Sequence, residues 1–171
     1  MELSLPSRLW WNYVEEDLRE LLEASQVLIN KVETWEEKFH DYSFVVFPAA
    51  KAYEGFLKKL FLDLGFITEE EYYGKRFRVG KALNPNLEKE LRHESVYDKI
   101  VHFCQGRELA DRLWETWKEG RNLVFHWFPK EKNALTFIEA KARVQTIVES
   151  MDAAFKECKI KKRPNGNQTA V

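Results

Sequence analysis

The sequence predicts an all-α fold: an up-and-down bundle of about five to seven helices. Three observations predict it. Gly (7) and Pro (5) are scarce among 171 residues, so long helices can run uninterrupted. Apolar residues recur at three- and four-residue spacing through most of the chain, with Glu and Lys between them. Two capping boxes, Thr68 to Glu71 and Thr136 to Glu139, mark helix starts. No β pattern, heptad array or internal repeat competes.

Residues 7–38 read as helix, with Trp10, Val14, Leu18, Leu22, Ile29 and Val32 on one stripe and Ser25-Gln26 as the place where it would divide in two. Trp10 and Trp11 read as core or dimer anchors in preference to base-stacking platforms. Tyr42 to Phe47 is β-branched and aromatic. A helix is expected to begin at Pro48, since proline suits the first helical position, and to stop at Gly65. Tyr72 to Pro85, with three Gly/Pro and four cations, is the expected long loop. Two short helices follow, Asn86 to His93 and Val96 to Phe103. The next helix is expected from Arg107 to Trp127, with Pro129 ending it. Gly120 lies on its packing stripe, where it costs about 1 kcal/mol against Ala, so a close helix approach is expected beside it. The last helix runs to about Cys158. Residues 159–171 read as a flexible, basic tail, leaving residues 1–158 as a single helical domain.

Composition limits the function classes. A hydrophobic share of 44% with 32% charge is a globular balance, and 171 residues suffice for one sizeable core. The net charge of −1 means that any polyanion contact must be local. Cys104 and Cys158 lack metal-ligand spacing and read as reduced thiols. Met1 to Ser4 shows no signal-peptide pattern, and no run approaches a membrane span. The expectation is a cytoplasmic protein with no membrane partner, no cofactor and no metal site. His93 and His102 have no acidic or cysteine partner at ligand spacing.

One hexapeptide carries chemistry: Arg121-Asn122-Leu123-Val124-Phe125-His126, an R-N-x-x-x-H pattern. Arg supplies a permanent, planar charge that fits a phosphate; His exchanges a proton near neutral pH. Asn122 and His126 are four residues apart and share a helix face. Arg121 lies about 140° around the axis from His126, so only its length can bring the two together. Chance supplies about 0.02–0.03 such matches in a chain of this composition. The plain alternative is a pair of solvated helix residues followed by a helix-end histidine favourable to the dipole.

R-N-x-x-x-H on the penultimate long helix of a small helical domain resembles the HEPN superfamily. The upstream run Phe44 to Leu60 is similar to a helix of the RnlA/LsoA-type RNase toxins, which brings a basic residue and a glutamate three positions later to the catalytic Arg and His. Lys51 and Glu54 have that spacing, although the group typically carries Arg where this chain has Lys51. The resemblance covers about Ser43 to Lys156. It implies a HEPN-like bundle, a metal-independent endoribonuclease, and a homodimer with a composite active site. It further implies a toxin or anti-phage or CRISPR-associated effector restrained by an antitoxin or regulatory protein.

On that implication RNA is the substrate and its 2′-hydroxyl the nucleophile. His126 acts as general base or acid, Arg121 neutralises phosphate charge and Asn122 orients the imidazole or the phosphate. Glu54 tunes His126 and Lys51 contacts phosphate; the alternative for that pair is an ordinary i,i+3 ion pair. Lys75, Arg76 and Arg78, interleaved with Tyr72, Tyr73 and Phe77, are candidate RNA contacts or a solvated loop with aromatic anchors. One His per chain leaves the second proton-transfer group unnamed. Two other classes stay open: a non-catalytic HEPN module binding RNA, nucleotide or a protein, and a structural bundle in which the hexapeptide is coincidental.

Overall fold

The computed structural model of the chain describes residues 2–158. Those residues form α1 (Glu16–Val32), α2 (Ser43–Asp63), α3 (Glu69–Tyr73), α4 (Val79–Ala82), α5 (Val96–Cys104), α6 (Glu108–Trp117) and α7 (Phe137–Cys158), joined by short 3-10 and π turns, with no strand among them. The fold is an all-α bundle. The basic tail expected at 159–171 lies outside the described residues. Among those described, no helix is long and apolar enough to cross a membrane.

α2 is the central helix, packed between α1 and α7, while α6 leans on α5 and α7. Its Tyr53 is fully buried, and the phenol donates to the Leu113 carbonyl at 3.2 Å and lies 3.3 Å from Ser150 Oγ, tying α2 to α6 and α7. Trp10 is fully buried and donates its indole N–H to Asp152 of α7 at 2.6 Å, which makes it a core anchor. Both capping boxes form: Glu71 N–H donates to Thr68 Oγ1, and Glu139 N–H to Thr136 Oγ1, with each glutamate reaching back. Gly65, at φ 71°, ends α2: Phe66 N–H reaches the Phe61 carbonyl at 2.8 Å and Gly65 N–H the Leu62 carbonyl at 2.9 Å.

Several expectations are corrected. Residues 7–38 are not one helix: α1 occupies only 16–32, undivided at Ser25. The segment before it is held in i→i+3 turns, such as Trp11 N–H to Arg8 C=O, that deliver Trp10 to the core. α2 begins at Ser43, not at Pro48, and carries the proline in its interior. The bend beside it is bridged from α1: the buried Ser25 hydroxyl accepts from Ala49 N–H (2.9 Å) and donates to Val45 C=O (3.1 Å). That hydroxyl bridges the two groups an unbroken helix would join directly, a recognised way for a helix to bend. Finally, the helix expected to reach Trp127 leaves α geometry at Trp117. Lys118–Asn122 is a π turn, closed by Leu123 N–H to Lys118 C=O at 2.9 Å, and 123–126 is a non-helical turn.

The close approach expected at Gly120 is present and is made by α7. A Cβ there would stand 3.3 Å from both Cγ1 and Cδ1 of Ile147. The basic segment is less of a loop than expected, because α4 interrupts it. Gly80 seats α4 on the Trp117 indole, 2.6 Å from where a Cβ would be. The short helix expected over Asn86 to His93 is a 3-10 turn, Lys89–Glu94.

Candidate functional site

The π turn sets where the hexapeptide side chains go. Arg121 leaves it toward α2: its guanidinium lies 3.4 Å from Glu54 Oε2 and 5.1 Å from the centre of the Trp117 ring. Both partners of the ion pair are about a third or more exposed, 40% for Arg121 and 35% for Glu54, so the pair is worth at most about 1 kcal/mol. No ion pair joins Glu54 to Lys51 among the described residues. Lys51 instead lines, with Glu54, Gly55 and Lys58, a groove of about 620 Å³ between α1 and α2. Gly55 lets Leu18 approach there, since a Cβ would meet the Leu18 methyls at 2.5 and 2.9 Å.

His126 leaves the other way. Its Nε2 lies 3.2 Å from Asn122 Oδ1, the contact that four-residue spacing suggested. An amide oxygen can only accept, so Nε2 is the donor in this contact, and in the neutral ring Nδ1 carries the lone pair. The ring opens into a cleft of about 560 Å³ that Val124, Phe125 and Trp127 share with His40, Asp41, Ser43 and Asn133. Arg121 is not among the cleft's lining residues. Trp127 is 75% exposed, and Phe125 stacks edge-on against Phe47 with ring centres 5.5 Å apart, so aromatic faces border the cleft.

The far wall is assembled by a short clamp. The Asn133 amide donates to the Leu123 carbonyl at 3.0 Å and to the His126 carbonyl, fastening the end of the hexapeptide. Two residues on, Leu135 N–H donates to Asp41 Oδ1 at 3.1 Å, and Tyr42 N–H donates to the Leu135 carbonyl at 2.9 Å. Burial alone would raise the Asp41 carboxyl. Hydrogen bonds from the Ser43 hydroxyl, Leu135 N–H and Ser43 N–H, with the nearby His40 charge, bring it below the usual carboxylate range. It is therefore ionised at neutral pH. His40, Asp41 and Asn133 were not singled out from the sequence; they come from distant segments, and no spacing signal marks them.

Lys75, Arg76 and Arg78 stand apart from this cleft. Arg78 donates to the Lys75 carbonyl at 2.7 Å, and Arg76 and Arg78 line a smaller cavity of about 280 Å³ with Glu71 and Glu94. Cys104 and Cys158, distant in sequence, are free thiols hydrogen-bonded to each other. Burial pushes the Cys158 thiol up to about 12, so it is no nucleophile at neutral pH. His93 is exposed and hydrogen-bonds the Glu90 carbonyl through Nδ1 at 3.0 Å. Among the described residues, no cluster of three or more His, Cys, Asp or Glu is arranged to hold a metal ion.

The chain is similar to a protein named mRNA endoribonuclease LsoA from Escherichia coli O157:H7, at 22% identity over 149 residues. The match covers 86% of this chain and 40% of that protein, so the chain spans less than half of its relative's length. No more than about 24 of the 171 residues fall outside the match, so Lys51, Glu54 and the hexapeptide all lie within it. No family model matches the chain. No solved structure matches it either.

Proposed function

We propose that this chain is a metal-independent endoribonuclease of the HEPN type, cutting RNA by attack of its own 2′-hydroxyl. The observation that carries the reading is the conjunction of the LsoA similarity with a histidine held by Asn122 at the mouth of an open cleft. His126 is exposed, meets Asn122 through Nε2 and serves as the proton-transfer group through Nδ1. Arg121 meets the charge that develops on the non-bridging phosphate oxygens. Asn122 fixes the imidazole tautomer; Glu54 holds the guanidinium until substrate arrives; Lys51, exposed beside Glu54, adds phosphate attraction. The products are a 2′,3′-cyclic phosphate and a 5′-hydroxyl. Lys75, Arg76 and Arg78 extend the RNA path in this reading.

Arg121 and His126 face different ways in one chain. A two-fold homodimer that places two Arg/His sets on one crevice removes the difficulty, because each chain then supplies what the other lacks. The biological role that fits is a toxin or defence effector, with an antitoxin or other regulatory protein restraining it. One feature favours a second reading, a non-catalytic module binding RNA, nucleotide or a partner protein: Arg121 is engaged by Glu54, away from the His126 cleft.

RNA cleavage by the purified protein in EDTA separates the two. The expected outcome is cutting that persists in chelator and falls about 10²–10⁴-fold in His126→Ala and at least about 10²-fold in Arg121→Ala. RNA binding without cleavage selects the second reading. No effect on RNA at all removes both.

A further inference from the structure

Cleavage by 2′-hydroxyl attack needs two proton transfers, one off the nucleophile and one onto the leaving 5′-oxygen, and Asn122 prepares His126 for only the first. With Nε2 facing the Asn122 carbonyl oxygen, Nδ1 is an acceptor. A second histidine lines the same cleft of the same chain. His40 reaches it from the loop between α1 and α2, 86 positions before His126 in sequence.

We propose that His40 is a further catalytic residue, the general acid that protonates the leaving 5′-oxygen while His126 Nδ1 takes the 2′-hydroxyl proton. This assignment rests on the nuclease reading above and deepens it. Three features of the cleft carry it. His126 and His40 both line it, and its volume of about 560 Å³ is enough for a nucleotide-sized group. The Asn133 to Leu135 clamp fastens both walls to each other, through the His126 carbonyl on one side and the Asp41 carboxylate on the other, so their relative placement is fixed by hydrogen bonds. Asp41, the residue next to His40, is within Coulomb range of its ring and places a negative charge there, whereas the neighbour fixed on His126 is a neutral amide. The two rings thus have unlike neighbours, a carboxylate for His40 and an amide for His126.

The step balances without an outside reagent. The 2′-oxygen forms its bond to phosphorus as its proton passes to His126 Nδ1. The P–O5′ bond breaks as His40 gives a proton to O5′, leaving a 2′,3′-cyclic phosphate and a 5′-hydroxyl. Proton exchange with water then resets both rings.

The test uses the full chain in EDTA on a short RNA whose cut site has been mapped, and on the same RNA with sulfur replacing the bridging 5′-oxygen at that site. A thiolate leaves without protonation, so loss of a general acid is rescued by the sulfur and loss of a base is not. His40→Ala is expected to lower cleavage of the all-oxygen RNA by about 10²–10⁴-fold and to stay within about tenfold of wild type on the sulfur linkage. His126→Ala is expected to fail on both. His40→Asn, run beside it, should behave as His40→Ala; the site is exposed, so both variants should melt with the wild type. An active wild type with His40→Ala either unimpaired or equally impaired on the two linkages overturns this assignment alone. A wild type inert on RNA overturns the nuclease reading and this assignment together.

Discussion

Ser25→Ala should be among the most damaging single-atom deletions in this protein. Ser25 is fully buried, and its hydroxyl joins Val45 C=O to Ala49 N–H on the turn of α2 that contains Pro48. Removing the oxygen leaves a backbone donor and a backbone acceptor without their partner in a dry interface. Each such loss costs about 1–3 kcal/mol, and partial closure of the helix onto itself recovers some of it, so about 2–4 kcal/mol is expected. For a chain of this size that is a fall of roughly 4–16 °C in melting temperature. Thermal and urea unfolding followed by circular dichroism read both numbers. The reasoning also fixes a coupling. Pro48→Ala restores the missing N–H and lets the helix straighten, so Ser25→Ala should cost at least about 1 kcal/mol less in that background. A Ser25→Ala loss under about 0.5 kcal/mol, or a cycle that is additive, refutes the bridging role.

Gly120→Val should destabilise by about 1–3 kcal/mol in the same melts, because its branches add to a Cβ already 3.3 Å from two Ile147 atoms, whereas Gly120→Ala should be close to neutral. Asp41→Asn should reveal a pH-dependent term. The folded carboxyl is depressed, so its contribution is present above the ordinary Asp value of about 3.9 and is lost as pH falls through the folded value. The melting-temperature gap between wild type and Asp41→Asn should therefore narrow as pH drops below about 4, and a gap that widens there contradicts the sign. Glu54→Gln should change stability by less than about 1 kcal/mol yet tighten RNA binding roughly two- to tenfold in a low-salt titration, since it frees Arg121 and removes a nearby negative charge.

What could be read in advance divides along the range of the interaction. The two capping boxes and the Gly65 stop were legible because each is settled within a few residues of itself. Pro48 was misread as a helix start because the bend beside it is bridged by the Ser25 hydroxyl, 23 positions earlier and on another helix. The end of α6 was misread by ten residues because its apolar spacing continues through Val124 and Trp127, whereas the chain leaves α geometry at Trp117, just before the turn in which Gly120 meets Ile147 of α7. Asn122 beside His126 was legible from four-residue spacing, and the geometry survives the π turn. Glu54 was expected beside the Arg and His of the hexapeptide; it lies against Arg121, toward which the π turn directs the guanidinium. His40 had no local signature, since it is carried to the cleft by an Asp41 to Leu135 hydrogen bond spanning 94 positions.

The separation of Arg121 from the His126 cleft is a matter of small energies. Its tie to Glu54 is worth at most about 1 kcal/mol at this exposure, and its stacking on Trp117 about 0.5–1 kcal/mol. A hydrogen bond from a guanidinium to a phosphate is worth about 1.5–3 kcal/mol, more when the fork engages two oxygens. An RNA phosphate within reach of the side chain therefore outbids the resting contacts without any movement of the π turn that carries them. The same balance keeps the guanidinium off the cleft when no polyanion is present, because Glu54 is then the best acceptor at hand. In the proposed nuclease reading, the Glu54 pair is therefore the resting contact that an incoming phosphate displaces from Arg121.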